Sequence, residues 1–117
     1  MRKTELPDPI RELLPLSPAV FYILFALAEG EKHGYAIMKE AETVSGGQFT
    51  MGPGTLYTTI QRLLELGLIE ETSTPSDTER RRRCYRLSRS GRQLFEAELN
   101  RMESLVRSAQ RRKLAAP

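Results

Sequence analysis

His33 and Cys84 are the single histidine and the single cysteine of the chain, and they stand far apart in sequence. A metal centre needs several donors close together, so this pair is a poor ligand set. The same histidine would have to serve any Ser/His/Asp triad. Gly52-Pro53-Gly54-Thr55 lacks the lysine of a phosphate-binding loop. Glu70 and Glu71 are adjacent acids that fall on alternate faces of a strand. None of this makes a catalytic set, so no enzyme, metal or cofactor is expected. His33 reads as a capping or loop residue. Cys84 lies beside arginines, which favour its thiolate and suit a redox sensor. Its plainer reading is a strand cysteine on the less buried face of a hairpin.

The chemistry that remains is polyanion contact. Residues 80–92 read RRRRCYRLSRSGR, seven arginines with no acid. The other 104 residues hold 11 basic and 15 acidic side chains, so the formal charge of +3 hides a mildly acidic protein with one basic segment. Concentrated charge of this kind suits a nucleic acid, although such runs are also found as merely solvated faces. A second stretch, MGPGTLYTTIQRLLELGLI over residues 51–69, complements it. Leu56, Ile60, Leu63 and Leu64 recur at helical spacing and form one stripe to bury. Thr55, Thr58, Gln61, Arg62 and Glu65 are left outward. Thr and Gln can meet base edges, and Arg can meet guanine or phosphate. Gly52-Pro53-Gly54 carries no bulky side chain, so helix-start N–H groups can approach a phosphate; plain turn chemistry is compatible with the same residues.

The elements that must position these groups are legible in outline. Asp8-Pro9 starts a short helix with Asp8 as N-cap, and Ile10, Leu13 and Leu14 share one face. Ser17-Pro18 repeats the signal and opens a helix to about Ala28. That helix is apolar nearly all round, which places it centrally. A helix from about Gly34 to Val44 turns Ile37, Met38, Ala41 and Val44 inward and ends at Ser45-Gly46-Gly47. The third main helix is the stretch above. Residues 68–73 and 82–87 read as two strands around the turn material Thr74-Pro75-Ser76-Asp77. A last helix begins at Ser88 or Ser90, where Ser90 and Gln93 form a capping-box pattern, and runs to about Lys113. Phe95, Leu99, Met102, Val106 and Ala109 make a heptad seam along it that calls for a partner helix.

At 117 residues, 39% hydrophobic and 28% charged, the chain suits one globular domain with a modest core. No apolar run reaches membrane-span length, the start lacks the character of a secretory leader, and one cysteine excludes an internal disulfide. The expected location is the cytoplasm.

Three helices, a hairpin and a helix make a winged helix-turn-helix: mainly α with a small β-hairpin, plus a C-terminal dimerisation helix. In that layout the third helix enters the DNA major groove. Several strings together resemble the PadR family of bacterial transcriptional regulators: LSPAVFYILFALAEGEKHGYAIMKE, GPGTLYTTIQRLLELGLIEE and RRCYRLSRSGRQL. The resemblance implies a homodimeric winged-helix repressor on an inverted-repeat operator, in many cases released by a small molecule. The single helix after the wing is similar to the smaller subgroup of the family. Tyr35 matches the tyrosine of the second helix, and Thr55, Leu56 and Tyr57 match the start of the recognition helix. Arg82 and Arg83 fall on the basic wing position, and Tyr85 on the aromatic of the second wing strand. Many members have proline where this chain has Thr58, and some stack planar drugs on a tryptophan that is absent here.

The expected organisation is an arm and DNA-binding domain over residues 1–87 and a dimerisation helix over 88–117. The expected DNA contacts are Tyr35, Lys39, Gly54, Thr55, Tyr57, Thr58, Gln61, Arg62 and Arg80, Arg81, Arg82 and Arg83. Tyr57 can equally close the core, and so can Tyr35, although Lys39 one turn away leans Tyr35 toward phosphate. The expected dimer contacts are Ile10, Leu13, Leu14, Phe95, Leu99, Met102, Val106 and Ala109. The partners are operator DNA, a second copy and a possible inducer of unknown identity, with no membrane. The rival reading is a winged helix used only for protein contact.

Overall fold

The computed structural model describes residues 6–72 and 83–115. In chain order it contains α1 (Asp8–Arg11), α2 (Pro18–Ala28), β1 (Lys32–His33), α3 (Gly34–Val44), α4 (Pro53–Glu65), β2 (Ile69–Glu71), β3 (Cys84–Leu87) and α5 (Arg89–Ala115). The strands form one antiparallel sheet in the order β1-β3-β2. This is a mainly helical winged-helix fold.

The all-round apolar sequence of α2 has the expected consequence. Val20, Ile23, Leu24, Ala26 and Leu27 are buried, and α3, α4, α5 and β3 pack around them. Ser17 caps its start, with Oγ accepting from the Val20 N–H at 3.3 Å. His33 caps α3 in the same way, its Nδ1 accepting from the Ala36 N–H at 3.3 Å. α3 buries Ile37 and Ala41, but Val44 is exposed, contrary to the inward stripe. The last turn of α3 has passed the edge of this small core. On α4 the stripe holds: Leu56, Ile60 and Leu63 are buried and Leu64 is half-buried.

Three local expectations need correction. Asp8 is the first residue of α1 and not its cap; Pro7 occupies the cap position, and Asp8 instead pairs with Arg11 at 3.1 Å. The strands are shorter than expected and gain a third partner, β1, which pairs Lys32 with Tyr85 and His33 with Cys84. The hairpin itself aligns Ile69 with Leu87 and Glu71 with Tyr85. Residues 73–82, with the expected turn and Arg80, Arg81 and Arg82, lie outside the described residues. α5 is capped by Ser88 and not by Ser90. The Ser88 Oγ accepts from the Gly91 N–H at 3.1 Å and donates to the Gly67 carbonyl at 2.6 Å.

That junction sets two backbones against each other. A Cβ at Gly91 would collide with the Leu68 carbonyl oxygen, a main-chain atom held by the Ser88 N–H at 3.0 Å. Gly91→Ala is therefore expected to destabilise the fold by about 1–3 kcal/mol, the usual range for overpacking. Urea unfolding checks it.

Glu98 is buried on α5. Its Oε2 accepts from the Leu16 N–H at 3.0 Å, and its carboxylate takes two hydrogen bonds from Arg101, at 2.6 and 3.0 Å. The Arg101 hydrogen bonds hold the Glu98 carboxyl below its ordinary value of 4.5; burial opposes the shift and the Leu16 N–H assists it. A depressed folded value contributes stability above the unfolded value, and that contribution is lost as pH falls through the folded one. Glu98→Ala is expected to lower stability by about 2 kcal/mol at neutral pH, since a charged hydrogen-bond acceptor is removed from a buried site. Glu98→Gln should flatten the acid side of the stability profile. Urea midpoints across an acid pH series read both effects.

Candidate nucleic-acid interface

α4 begins with Gly52 as a cap without a side-chain hydrogen bond and with Pro53 at the first helical position. Pro53 has no N–H, and the Leu56 N–H returns to the Gly52 carbonyl at 3.0 Å. The N–H groups of Gly54 and Thr55 therefore have no acceptor within the helix. Both residues are exposed, and Cβ atoms built at Gly52 and Gly54 would meet nothing. The start of the helix thus presents bare donors and the positive end of its dipole, the combination that receives phosphate.

Along the same helix Thr58, Gln61, Arg62 and Glu65 are exposed, opposite the buried stripe. They border an open groove of about 880 Å³ whose other wall is Glu12, Leu13, Pro15 and Ser17. Gln61 donates from Nε2 to Glu65 Oε2 at 3.3 Å.

Tyr35 and Tyr57 are 61% and 47% exposed, which favours the contact role over the core-closing role for both. Tyr57 nevertheless has a firm seat. A Cβ at Gly34 would collide with the Tyr57 hydroxyl, so Gly34 is the space in which the ring lies. Two of the motif strings noted in the sequence therefore meet: the glycine of HGY receives the tyrosine of GTLY. Lys39 lies over the Tyr35 ring at 6.0 Å, so its cation and the phenol occupy one patch.

On the wing, Arg83 is exposed and its Nε stands 3.8 Å from Glu71 Oε2. That pair is loose and solvated, worth at most about 1 kcal/mol, so a phosphate can replace the carboxylate. Arg86 is tied more closely to Glu70, at 3.0 Å. The run of arginines is thus less uniformly available than its composition implies. Tyr85 is buried; burial first, then the negative charge of Glu71, raises its hydroxyl above the ordinary 10.0 and keeps it neutral. It anchors the wing and leaves contact to its neighbours. Cys84 is half-buried on β3 opposite His33. Among the described residues no group of three or more potential metal ligands occurs, and no helix is long and apolar enough to cross a membrane.

Residues 23–97 match the family described as the transcriptional regulator PadR-like family. The chain belongs to that family. Membership makes it a transcriptional regulator with a DNA-binding fold and not an enzyme. The chain is 39% identical over 87 residues to an uncharacterized 37.1 kDa protein in transposon TN4556 of Streptomyces fradiae, covering 74% of this chain and 24% of that protein. It is 30% identical over 83 residues to the transcriptional regulator YqjI of Escherichia coli (strain K12), covering 71% and 38%. The chain therefore spans well under half the length of these curated relatives. Bacillus subtilis PadR in complex with operator DNA superposes with a TM-score of 0.63 at 26% identity, covering 73% of this chain and 47% of that one.

The PadR-like fold leaves a second surface open. Ile10 and Phe95, expected at a dimer contact, are already buried in the chain's own core, and Leu13 and Leu14 are half-buried against it. Beyond Glu98, α5 leaves the core: Leu99, Val106 and Ala109 are exposed and Met102 is half-buried. Leu105, which the heptad reading passed over, is 56% exposed beside them.

Proposed function

We propose that this PadR-family regulator binds an inverted-repeat operator as a homodimer and acts as a repressor in the cytoplasm. The observation that carries this reading is the outward row of α4. Gly54, Thr55, Thr58, Gln61 and Arg62 are all exposed, flanked by exposed Tyr35, Lys39 and Tyr57, in a chain that resembles a PadR bound to operator DNA. Groups chosen for core packing would not stand together in water. Under this reading the α4 backbone donors, Tyr35, Tyr57, Lys39 and Arg83 meet phosphates, and Thr58 and Gln61 meet base edges.

The homodimer follows from the wet stripe of Leu99, Met102, Leu105, Val106 and Ala109 on a 27-residue helix, about 40 Å long. A second copy of the stripe would cover it. Two recognition helices about 34 Å apart then match two half-sites on one face of the duplex. An inducer of unidentified chemistry would act by changing that spacing.

A winged helix used only for protein contact has less support, because such a surface has no need of bare helix-start donors. The test is salt-dependent retention on heparin, then sequencing of the fragments retained from a random DNA pool. Enrichment of an inverted repeat supports the reading. Retention without any enriched sequence removes the operator, and no retention at low salt removes DNA binding altogether.

A further inference from the structure

Glu65 is an unexpected residue in its position. It is the last residue of α4, where the helix dipole is negative and a carboxylate is unfavourable. It is exposed, so no packing requires it. It lies on the same outward row as Gln61 and borders the same groove. A negative charge there also repels DNA phosphates. Helix stability, core packing and general DNA affinity all argue for some other residue. Among the described residues its side chain accepts a hydrogen bond from Gln61 Nε2, at 3.3 Å.

We propose that Glu65 determines base specificity by fixing the orientation of the Gln61 amide, so that Gln61 accepts from an adenine. This rests on the reading above in which Gln61 faces a base edge. The argument is one of donors and acceptors. An ionised carboxylate only accepts, so the Gln61 amide must turn its nitrogen toward Glu65. The flipped amide would set Oε1 against the carboxylate, two acceptors face to face. With the flip excluded, Gln61 has Oε1 and one remaining N–H for DNA. Adenine offers the matching pair in the major groove, a donor at N6 and an acceptor at N7. Guanine presents only acceptors at O6 and N7, and Oε1 would oppose one of them. Cytosine satisfies Oε1 alone. Without the carboxylate the amide is free to rotate and to present both N–H groups, and discrimination against guanine is lost.

Glu65→Gln separates this role from a structural one. The replacement keeps shape and length, but its amide both donates and accepts, so it supports either orientation of Gln61. It also removes a charge that opposes the helix dipole, and the variant should fold at least as stably as the parent. The experiment sequences the DNA retained from a random pool by the parent, Glu65→Gln and Gln61→Ala. The parent should select adenine at one position of each half-site. Glu65→Gln should let guanine in there, with the adenine-to-guanine ratio falling by roughly fivefold or more, the low end of one bidentate contact. Its affinity for unselected DNA should rise with the loss of a negative charge. Gln61→Ala should remove the preference at that same position. An unchanged base profile for Glu65→Gln, with the profile altered by Gln61→Ala, overturns the role of Glu65 and leaves Gln61 as the reader. A profile unchanged by Gln61→Ala overturns both, because Gln61 then reads nothing.

Discussion

Leu99→Asp combined with Val106→Asp is expected to give a folded monomer that has lost tight operator binding. Both side chains are large, apolar and half-exposed in the single chain, at 40% and 53%. Polar replacements there remove nothing from the core, so the winged-helix part should keep its stability. In the proposed dimer the same two positions lie in the seam. Each aspartate would be taken out of water without a partner, which is strongly destabilising for the assembly. The charge pattern of α5 adds a direction to the pairing. After Glu103 the described helix carries Arg107, Arg111, Arg112 and Lys113 and no acid. Parallel helices would bring these cations together, whereas antiparallel ones lay them toward the partner's charge-balanced half, residues 89–103 with three arginines and three glutamates. Light scattering at micromolar concentration should report twice the 13.3 kDa chain mass for the parent and the single mass for the double variant. Operator affinity should fall by roughly 100- to 10,000-fold, because linking two sites gives that order of avidity and a monomer has none. The salt slope should fall by about half, since half the phosphate contacts are gone. If the parent is itself a monomer, or the double variant holds operator as tightly as the parent, the two-half-site arrangement is wrong.

What could be read in the sequence was whatever repeats along one element. The stripe of Leu56, Ile60 and Leu63 named both the buried side of α4 and, by subtraction, the outward residues; the same residues are buried and exposed in the structure. Ser17-Pro18 and His33 gave the starts of α2 and α3 because caps are local chemistry. Features made by distant residues left no such trace. β1 is two residues long, and its partners lie on β3 more than fifty residues away, too short for any alternation to show. Nothing near Glu98 in the sequence marks it as buried, yet it accepts the Leu16 N–H from the other end of the chain. Gly34 and Gly91 each mark a close approach, to Tyr57 and to the Leu68 carbonyl, between residues far apart in sequence. The basic segment looked uniform because its composition carries no record of Glu70 and Glu71 across the hairpin. Leu105 fell between the heptad positions, and the exposed apolar stripe of α5 is wider than a strict heptad pattern.

Affinity and sequence choice are expected to divide between the wing and α4. Arg83 lies immediately before β3, exposed, beside a hairpin carboxylate it can exchange for a phosphate. A guanidinium there follows the backbone, which is the same in every sequence. Arg83→Ala should therefore weaken operator and random DNA by similar factors and lower the salt slope by about 0.9 in each half-site, the signature of one lost phosphate contact. Glu71 would be left without its cation, but both partners are solvated, so folding should be unaffected. Gln61 is different in kind. It is uncharged and cannot contribute general attraction, so random DNA should scarcely register its loss. On the operator a bidentate base contact is worth about 1–3 kcal/mol of discrimination per half-site, and Gln61→Ala should lose it with the salt slope unchanged. Binding isotherms on both DNAs at several salt concentrations separate the two effects, because slope reports phosphates and the operator-to-random ratio reports bases. Should Arg83→Ala collapse that ratio while Gln61→Ala leaves it intact, the roles are reversed: the wing reads the sequence and α4 only holds the duplex.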